Sequence, residues 1–106
     1  MVLFLELGYG LPEKVYQQAL EEELKTNKIQ YCREKYGAIT YKNQRIGKYF
    51  IDFLIEHRVA VELKVRNEIY QDHINQLLNY LKSEKLKVGL LLAISKNGIL
   101  IKRIVN

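Results

Sequence analysis

The stretch FIDFLIEHRVAVELK, residues 50–64, limits the fold more than any other part of the chain. Two runs rich in β-branched and large apolar residues, ending at Ile55 and beginning at Val59, flank the polar tripeptide Glu56-His57-Arg58. Strands this close in sequence pair as antiparallel neighbours through a tight turn. Alternation along a strand puts Phe50, Asp52 and Leu54 on one face, and Ala60, Glu62 and Lys64 together on a face of the next strand. If the turn takes three residues, Asp52 falls directly opposite Glu62. Two facing carboxylates repel, and burying either one unpaired costs several kcal/mol, so the pair calls for a compensating positive charge.

The surrounding pattern supplies the rest of a small α/β domain. Pro12 follows Gly8 and Gly10 at a position the first turn of a helix tolerates, and EKVYQQALEEELKTN continues for about four turns with Glu13, Tyr16, Leu20 and Leu24 on one stripe. From Ile29 to about Tyr41 the chain is rich in Tyr, Ile and Thr; KNQ then offers a turn before a second strand, Ile46 to Ile55, and the third runs from Val59 to Val65. Tyr70 to Leu81 switches to helical period, with Tyr70, Ile74, Leu77, Leu78 and Leu81 on one face and Asn67 as the predicted cap. The continuous apolar run VGLLLAI has the character of a strand covered on both faces, and SKNG turns the chain into a last strand, ILIKRIV. The predicted order is αβββαββ over a single domain, residues 1–106.

Other features narrow the setting. Lys and Arg outnumber Asp and Glu by 17 to 12, a net charge of +5 spread along the chain, which suits a polyanionic partner. Cys32 is the sole cysteine, which excludes an intrachain disulfide or Cys-rich zinc site and points to a reducing, cytoplasmic setting. Met1 to Leu7 is apolar but too short to span a bilayer and lacks the flanks of a signal peptide, so a soluble protein is expected.

A divalent cation answers the charge problem at Asp52 and Glu62. Magnesium takes hard oxygen ligands and keeps several waters, so one or two carboxylates, a backbone carbonyl and a substrate phosphate can complete its shell, with Lys64 beside it.

Asp52 followed ten residues later by Glu62-Leu63-Lys64 resembles the catalytic signature of the PD-(D/E)XK nuclease superfamily. Gly10-Leu11-Pro12-Glu13-Lys14-Val15-Tyr16 is similar to the motif of GxxExxY proteins, small members of that superfamily, and Gln76 to Tyr80 resembles the Gln-xxx-Tyr motif of nuclease domains attached to recombination helicases. Ile51 stands where the nominal motif has proline. Family members carry a longer helical lead-in than Met1 to Leu7, often with a histidine near the position of Phe4.

The resemblance implies a restriction endonuclease-like fold, a mixed central sheet flanked by helices, and a magnesium- or manganese-dependent nuclease acting on nucleic acid, DNA ahead of RNA. It implies Asp52, Glu62 and the Leu63 carbonyl as metal ligands, with Glu13 reaching the cation directly or through water. Lys64 would position or help deprotonate the attacking water, or neutralise the transition state. Gln76, Tyr80 and His73, on a stripe beside the apolar face of the second helix, would support the site or touch phosphate, with Tyr16, Lys48 and Arg66 as further supporting or nucleic-acid-binding residues. By analogy with resolvases of similar size, a homodimer across a two-fold axis through the last strands is expected. Two further readings stand beside this one: a non-catalytic nucleic-acid- or partner-binding module on the same fold, and a nuclease that needs an unidentified protein partner.

Overall fold

The computed structural model describes residues 7–106, so the lead-in residues 1–6, including Phe4, lie outside the described region. Helix α1 (Glu13–Thr26) is followed by strands β1 (Tyr31–Tyr41), β2 (Gln44–Ile55) and β3 (Val59–Val65), helix α2 (Gln71–Glu84), and strands β4 (Val88–Ser95) and β5 (Gly98–Val105). The order is the predicted αβββαββ. The five strands lie in sequence order across one sheet, antiparallel except for β3 and β4, which are parallel and joined through α2. A parallel pair needs such a crossover, and the helix it carries must lie on a face of the sheet.

The helices cover opposite faces. Tyr16, Leu20 and Leu24 of α1 pack on Phe53, Val61, Leu63, Leu92 and Ile94; Leu77, Tyr80 and Leu81 of α2 pack on Ile51, Leu54, Ala60, Leu91 and Ile104. Neighbours such as Ala60 and Val61, or Leu91 and Leu92, go to different layers, so both faces of β3 and β4 are buried and their runs are apolar nearly throughout. Each fully buried leucine in these layers contributes about 1.5–3 kcal/mol. No described helix is long and apolar enough to cross a membrane.

Local chemistry sets the turns. Lys42 and Asn43 both have positive φ (48° and 64°) and join Tyr41 to Gln44 as a two-residue hairpin, so β2 starts earlier than Ile46. Glu56, His57 and Arg58 form the predicted three-residue turn, with the Arg58 N–H donating to the Ile55 carbonyl at 3.0 Å. Asn67 does not cap α2. The helix begins after Tyr70, and the Asn67 side chain accepts the Lys96 N–H at 3.0 Å, tying the β3–α2 connection to the β4–β5 turn.

The β1–β2 ladder shifts register between Ile39 and Thr40, near the hairpin tip, and strict alternation also breaks beside Asp52. Arg33 pairs with Phe53 and Lys35 with Ile51, but Glu34 and Asp52 drop out of the ladder, and Glu34 has φ +49°. Ile51 and Leu54 consequently both face α2, with Phe53 facing α1, instead of Phe50, Asp52 and Leu54 sharing a side. This irregularity, which leaves the register unchanged on either side, separates a part of the β1–β2 hairpin packed between the helices from a part that meets only α2, through Gly37, Ala38 and Tyr49.

Candidate active site

Asp52 sits where β2 lets go of both neighbours. Its pairing with β1 is interrupted, and the β2–β3 ladder runs from Ile55↔Val59 to Phe53↔Val61 and stops one residue short of Asp52 and Glu62. Backbone groups released by this splay need new partners. The carboxylates supply them: the Asp52 N–H donates to Glu62 Oε1 at 2.9 Å, and the Leu63 N–H donates to Asp52 Oδ2 at 2.8 Å. The two acids are thus clasped to each other's strand, each by one oxygen. Because the N–H and C=O of one strand residue leave on the same edge, the Leu63 carbonyl is aimed into the same gap.

Burial and mutual repulsion dominate the electrostatics. Glu62 is only 5% exposed. Burial first, and then the nearby Asp52, push its pKa up to about 7, against the backbone hydrogen bond and the Lys64 ammonium, which pull it down. Burial likewise raises Asp52, opposed by the Leu63 N–H and by Lys64. Lys64 Nζ lies 3.8 Å from Glu62 Oε2, the oxygen outside the clasp. One partly exposed ammonium therefore faces a buried and a half-buried acid, a deficit of positive charge that a divalent cation would correct.

Glu13 stands at the start of α1, half-buried, and its charge raises both Asp52 and Glu62. The loop before it explains the spacing of Gly10, Glu13 and Tyr16. Gly10 has φ +104°, a conformation that L side chains resist, and sets the turn into the helix. One helical turn after Glu13, the fully buried Tyr16 donates its hydroxyl proton back to the Gly8 carbonyl and accepts the Leu11 N–H at 3.3 Å. Gly10 and Tyr16 thus fix the loop before α1, and with it the place of Glu13 at the start of the helix. Among the described residues, no three His, Cys, Asp or Glu side chains come close enough together to hold a metal ion. The oxygens that fit a hard cation are the free ones of Asp52 and Glu62 and the Leu63 carbonyl, with water and phosphate completing the shell.

The remaining sequence-predicted residues divide by location. Tyr80 belongs to the α2 core at 3% exposure, not to a stripe beside it, and its buried hydroxyl has no hydrogen-bond partner. It lines a groove of about 340 Å3 between the β1–β2 hairpin and α2 together with Gln76, Tyr49, Gly37 and Ser83. Arg66 stacks over the Tyr70 ring at 5.7 Å and His73 meets the same ring at 6.0 Å, at the start of α2. Lys48 lies on the exposed part of the hairpin, 5.9 Å over Phe50. None of Lys48, Arg66 and His73 joins the carboxylates.

Tyr49 is the site residue that the sequence pattern did not reveal. Burial and then the charges of Glu62 and Asp52, together with a side-chain hydrogen bond to Glu62, raise its hydroxyl pKa, which places it against the acids. Simple alternation puts Tyr49 on the face away from Asp52; the break in pairing at Asp52 brings the two together. The available signal was Gly37, its cross-strand partner, where an added Cβ would lie 2.5 Å from a ring carbon of Tyr80. A glycine in mid-strand marks such a close approach.

Solved structures share the fold. The crystal structure of SSO0001 superposes with a TM-score of 0.69 at 22% identity over 88% of this chain and 49% of its own. An alkaline exonuclease from Laribacter hongkongensis superposes with a TM-score of 0.63 at 10% identity over 88% of this chain and 55% of its own. The chain thus spans about half the length of each, and at these identities the likeness shows a shared fold. A comparison with curated protein sequences finds no match. The family model of the PD-(D/E)XK nuclease superfamily matches residues 1–104, and the chain belongs to that superfamily.

Proposed function

We propose that the protein is a magnesium- or manganese-dependent nuclease that hydrolyses phosphodiester bonds in nucleic acid, DNA ahead of RNA, and that it is a GxxExxY-type member of its superfamily. The observation that carries this reading is the clasp of Asp52 and Glu62 at the splayed end of the β2–β3 ladder, with Lys64 3.8 Å from Glu62. A scaffold has no use for a buried glutamate whose pKa is raised by burial and by a half-buried aspartate beside it, and functional sites are where such pairs gather. The GxxExxY assignment rests on the Gly10, Glu13 and Tyr16 arrangement that anchors the start of α1.

Asp52, Glu62 and the Leu63 carbonyl would hold the cation, with Glu13 adding negative charge from the start of α1. When bound, the cation supplies an acidified water and charge neutralisation at phosphate oxygens. Lys64 directs its ammonium at the oxygens on which charge builds as water attacks in line, and its proton-donating groups orient that water. Gln76 borders the adjoining groove and contacts phosphate or sugar. A two-fold pairing of chains would use the outer edge of β5, where Leu100, Ile101 and Val105 are exposed. The single free Cys32 is consistent with a reducing, cytoplasmic setting.

The deciding experiment presents labelled duplex, single-stranded, branched and supercoiled DNA and an RNA to wild type, Glu62→Ala and Lys64→Ala in magnesium, manganese or EDTA. Cleavage that needs metal and vanishes in both variants is expected. Cleavage that persists in EDTA or in both variants would overturn the assignment. Activity that appears only on adding cell extract would identify a partner-dependent nuclease, and binding with every substrate left whole would identify a non-catalytic module.

A further inference from the structure

Beyond the break in pairing at Asp52, the β1–β2 hairpin brings positive charge and exposed aromatic surface together. Residues 35–50 carry Lys35, Lys42, Arg45 and Lys48 and no acidic residue, so four positive charges of a chain with net charge +5 fall in sixteen residues. All four side chains are exposed. Tyr36 and Phe50 face each other across the two strands in edge contact at 5.7 Å, exposed by 37% and 49%. The cations stand on these rings: Arg45 lies 5.5 Å over Tyr36, Lys48 5.9 Å over Phe50, and at the tip Lys42 5.4 Å over the exposed Tyr41.

We infer that this hairpin is a docking surface for single-stranded nucleic acid, either a free strand or the unpaired segment of a larger substrate, laid along β2 toward the Asp52–Glu62 pair. This inference rests on the nuclease reading for its direction, because Phe50 is two residues from Asp52, about 7 Å along a strand. Charge complementarity selects the partner. Four cations without a counter-charge repel a second copy of the same hairpin and attract a phosphate backbone. The aromatic rings then select among polyanions: exposed rings interleaved with basic side chains offer stacking to bases, which a single strand presents and an intact duplex keeps inside. An arginine or lysine already resting on a ring loses little freedom when its remaining donors turn to a phosphate.

Binding is read separately from cleavage. Fluorescence anisotropy of a labelled 20-mer oligothymidylate, with Glu62→Gln protein in EDTA, is compared with the matched duplex, with inorganic polyphosphate as competitor and with phosphatidylserine vesicles. On this background Phe50→Ala and Tyr36→Ala are each expected to weaken oligothymidylate binding by roughly 10-fold or more, as loss of one stacked base does. Lys48→Ala should lower the salt slope by about one. Both rings are already exposed, so thermal melts of the variants should stay within a few degrees of the parent. Equal affinity for duplex and single strand, unchanged binding in both aromatic variants, polyphosphate competing as well as oligothymidylate, preferential binding to the vesicles, or a dimer in sedimentation that Phe50→Ala dissolves would each overturn the inference. Failures of the two readings separate cleanly. Full cleavage by Phe50→Ala and Tyr36→Ala in the otherwise wild-type chain would sink the hairpin and leave the nuclease. Ring-dependent binding without cleavage in any metal would do the reverse.

Discussion

Replacing Glu62 by glutamine should make the metal-free protein more stable at pH 8, although it removes a residue from the centre of the molecule. Glutamine keeps the shape and the oxygen that accepts the Asp52 N–H, and it removes the buried charge. In the folded chain burial and Asp52 raise the Glu62 pKa from 4.5 to about 7, a change that corresponds to about 3 kcal/mol. Between these two values the folded protein holds a proton that the unfolded chain has already released. Stability associated with this carboxyl is full below the unfolded value of 4.5 and is lost as pH rises through about 7. Urea unfolding in EDTA from pH 4.5 to 8.5 measures it. The wild type should weaken across that interval relative to Glu62→Gln, until the variant leads by up to about 3 kcal/mol, and the two should converge near pH 4.5. Millimolar magnesium or manganese should stabilise wild type above pH 7 and leave the variant nearly unmoved, and removal of metal by EDTA should reverse this. A variant that is equally or less stable than wild type at pH 8 without metal would refute the reasoning, because the acids would then not be in electrostatic deficit.

Lys64→Ala should reduce cleavage by about 10²–10³-fold. Its stability in EDTA should fall by no more than about 1 kcal/mol, because the ammonium is partly exposed and 3.8 Å from Glu62; urea midpoints and initial rates on the same samples check both halves. Gly37→Ala places a Cβ 2.5 Å and 2.8 Å from two ring carbons of Tyr80, a ring already packed at 5.8 Å on Tyr49, and should cost about 1–3 kcal/mol in urea unfolding. Tyr80→Phe removes a buried hydroxyl that has no partner and should leave stability unchanged or raise it by about 1 kcal/mol, as a thermal melt will show.

The sequence made some of this legible for definite reasons. Element order and the Asp52–Glu62 pairing were readable because Glu56-His57-Arg58 leaves little choice of turn, and because two runs covered on both faces are apolar nearly throughout. Stripes of α1 were readable from Tyr16, Leu20 and Leu24 at helical spacing. Alternation failed where a non-glycine residue, Glu34, takes a left-handed conformation and no composition cue marks the break in pairing. Asn67 has the character of a cap but answers a tertiary demand from Lys96. Tyr80 lies at the margin of the apolar stripe by period, and its burial depends on the hairpin folding over α2, a contact made possible by Gly37.

The break in pairing at Asp52 also connects the acids to the basic hairpin. An uninterrupted ladder would satisfy the Asp52 and Leu63 backbone through strand pairing, and the carboxylates would then be two repelling side chains with no fixed geometry. Interrupting the ladder makes their oxygens necessary to the backbone, so each acid is held in place by one oxygen and leaves the other for a ligand. The same interruption turns Ile51 and Tyr49 toward α2 and leaves Phe50 exposed opposite Tyr36. One irregularity in the sheet thus fixes the acids and, two residues away, exposes the aromatic end of the basic hairpin. Restoring regular pairing at Glu34 would therefore disturb both the clasp and the exposure of Phe50, a coupling that separate surface and active-site features would not show.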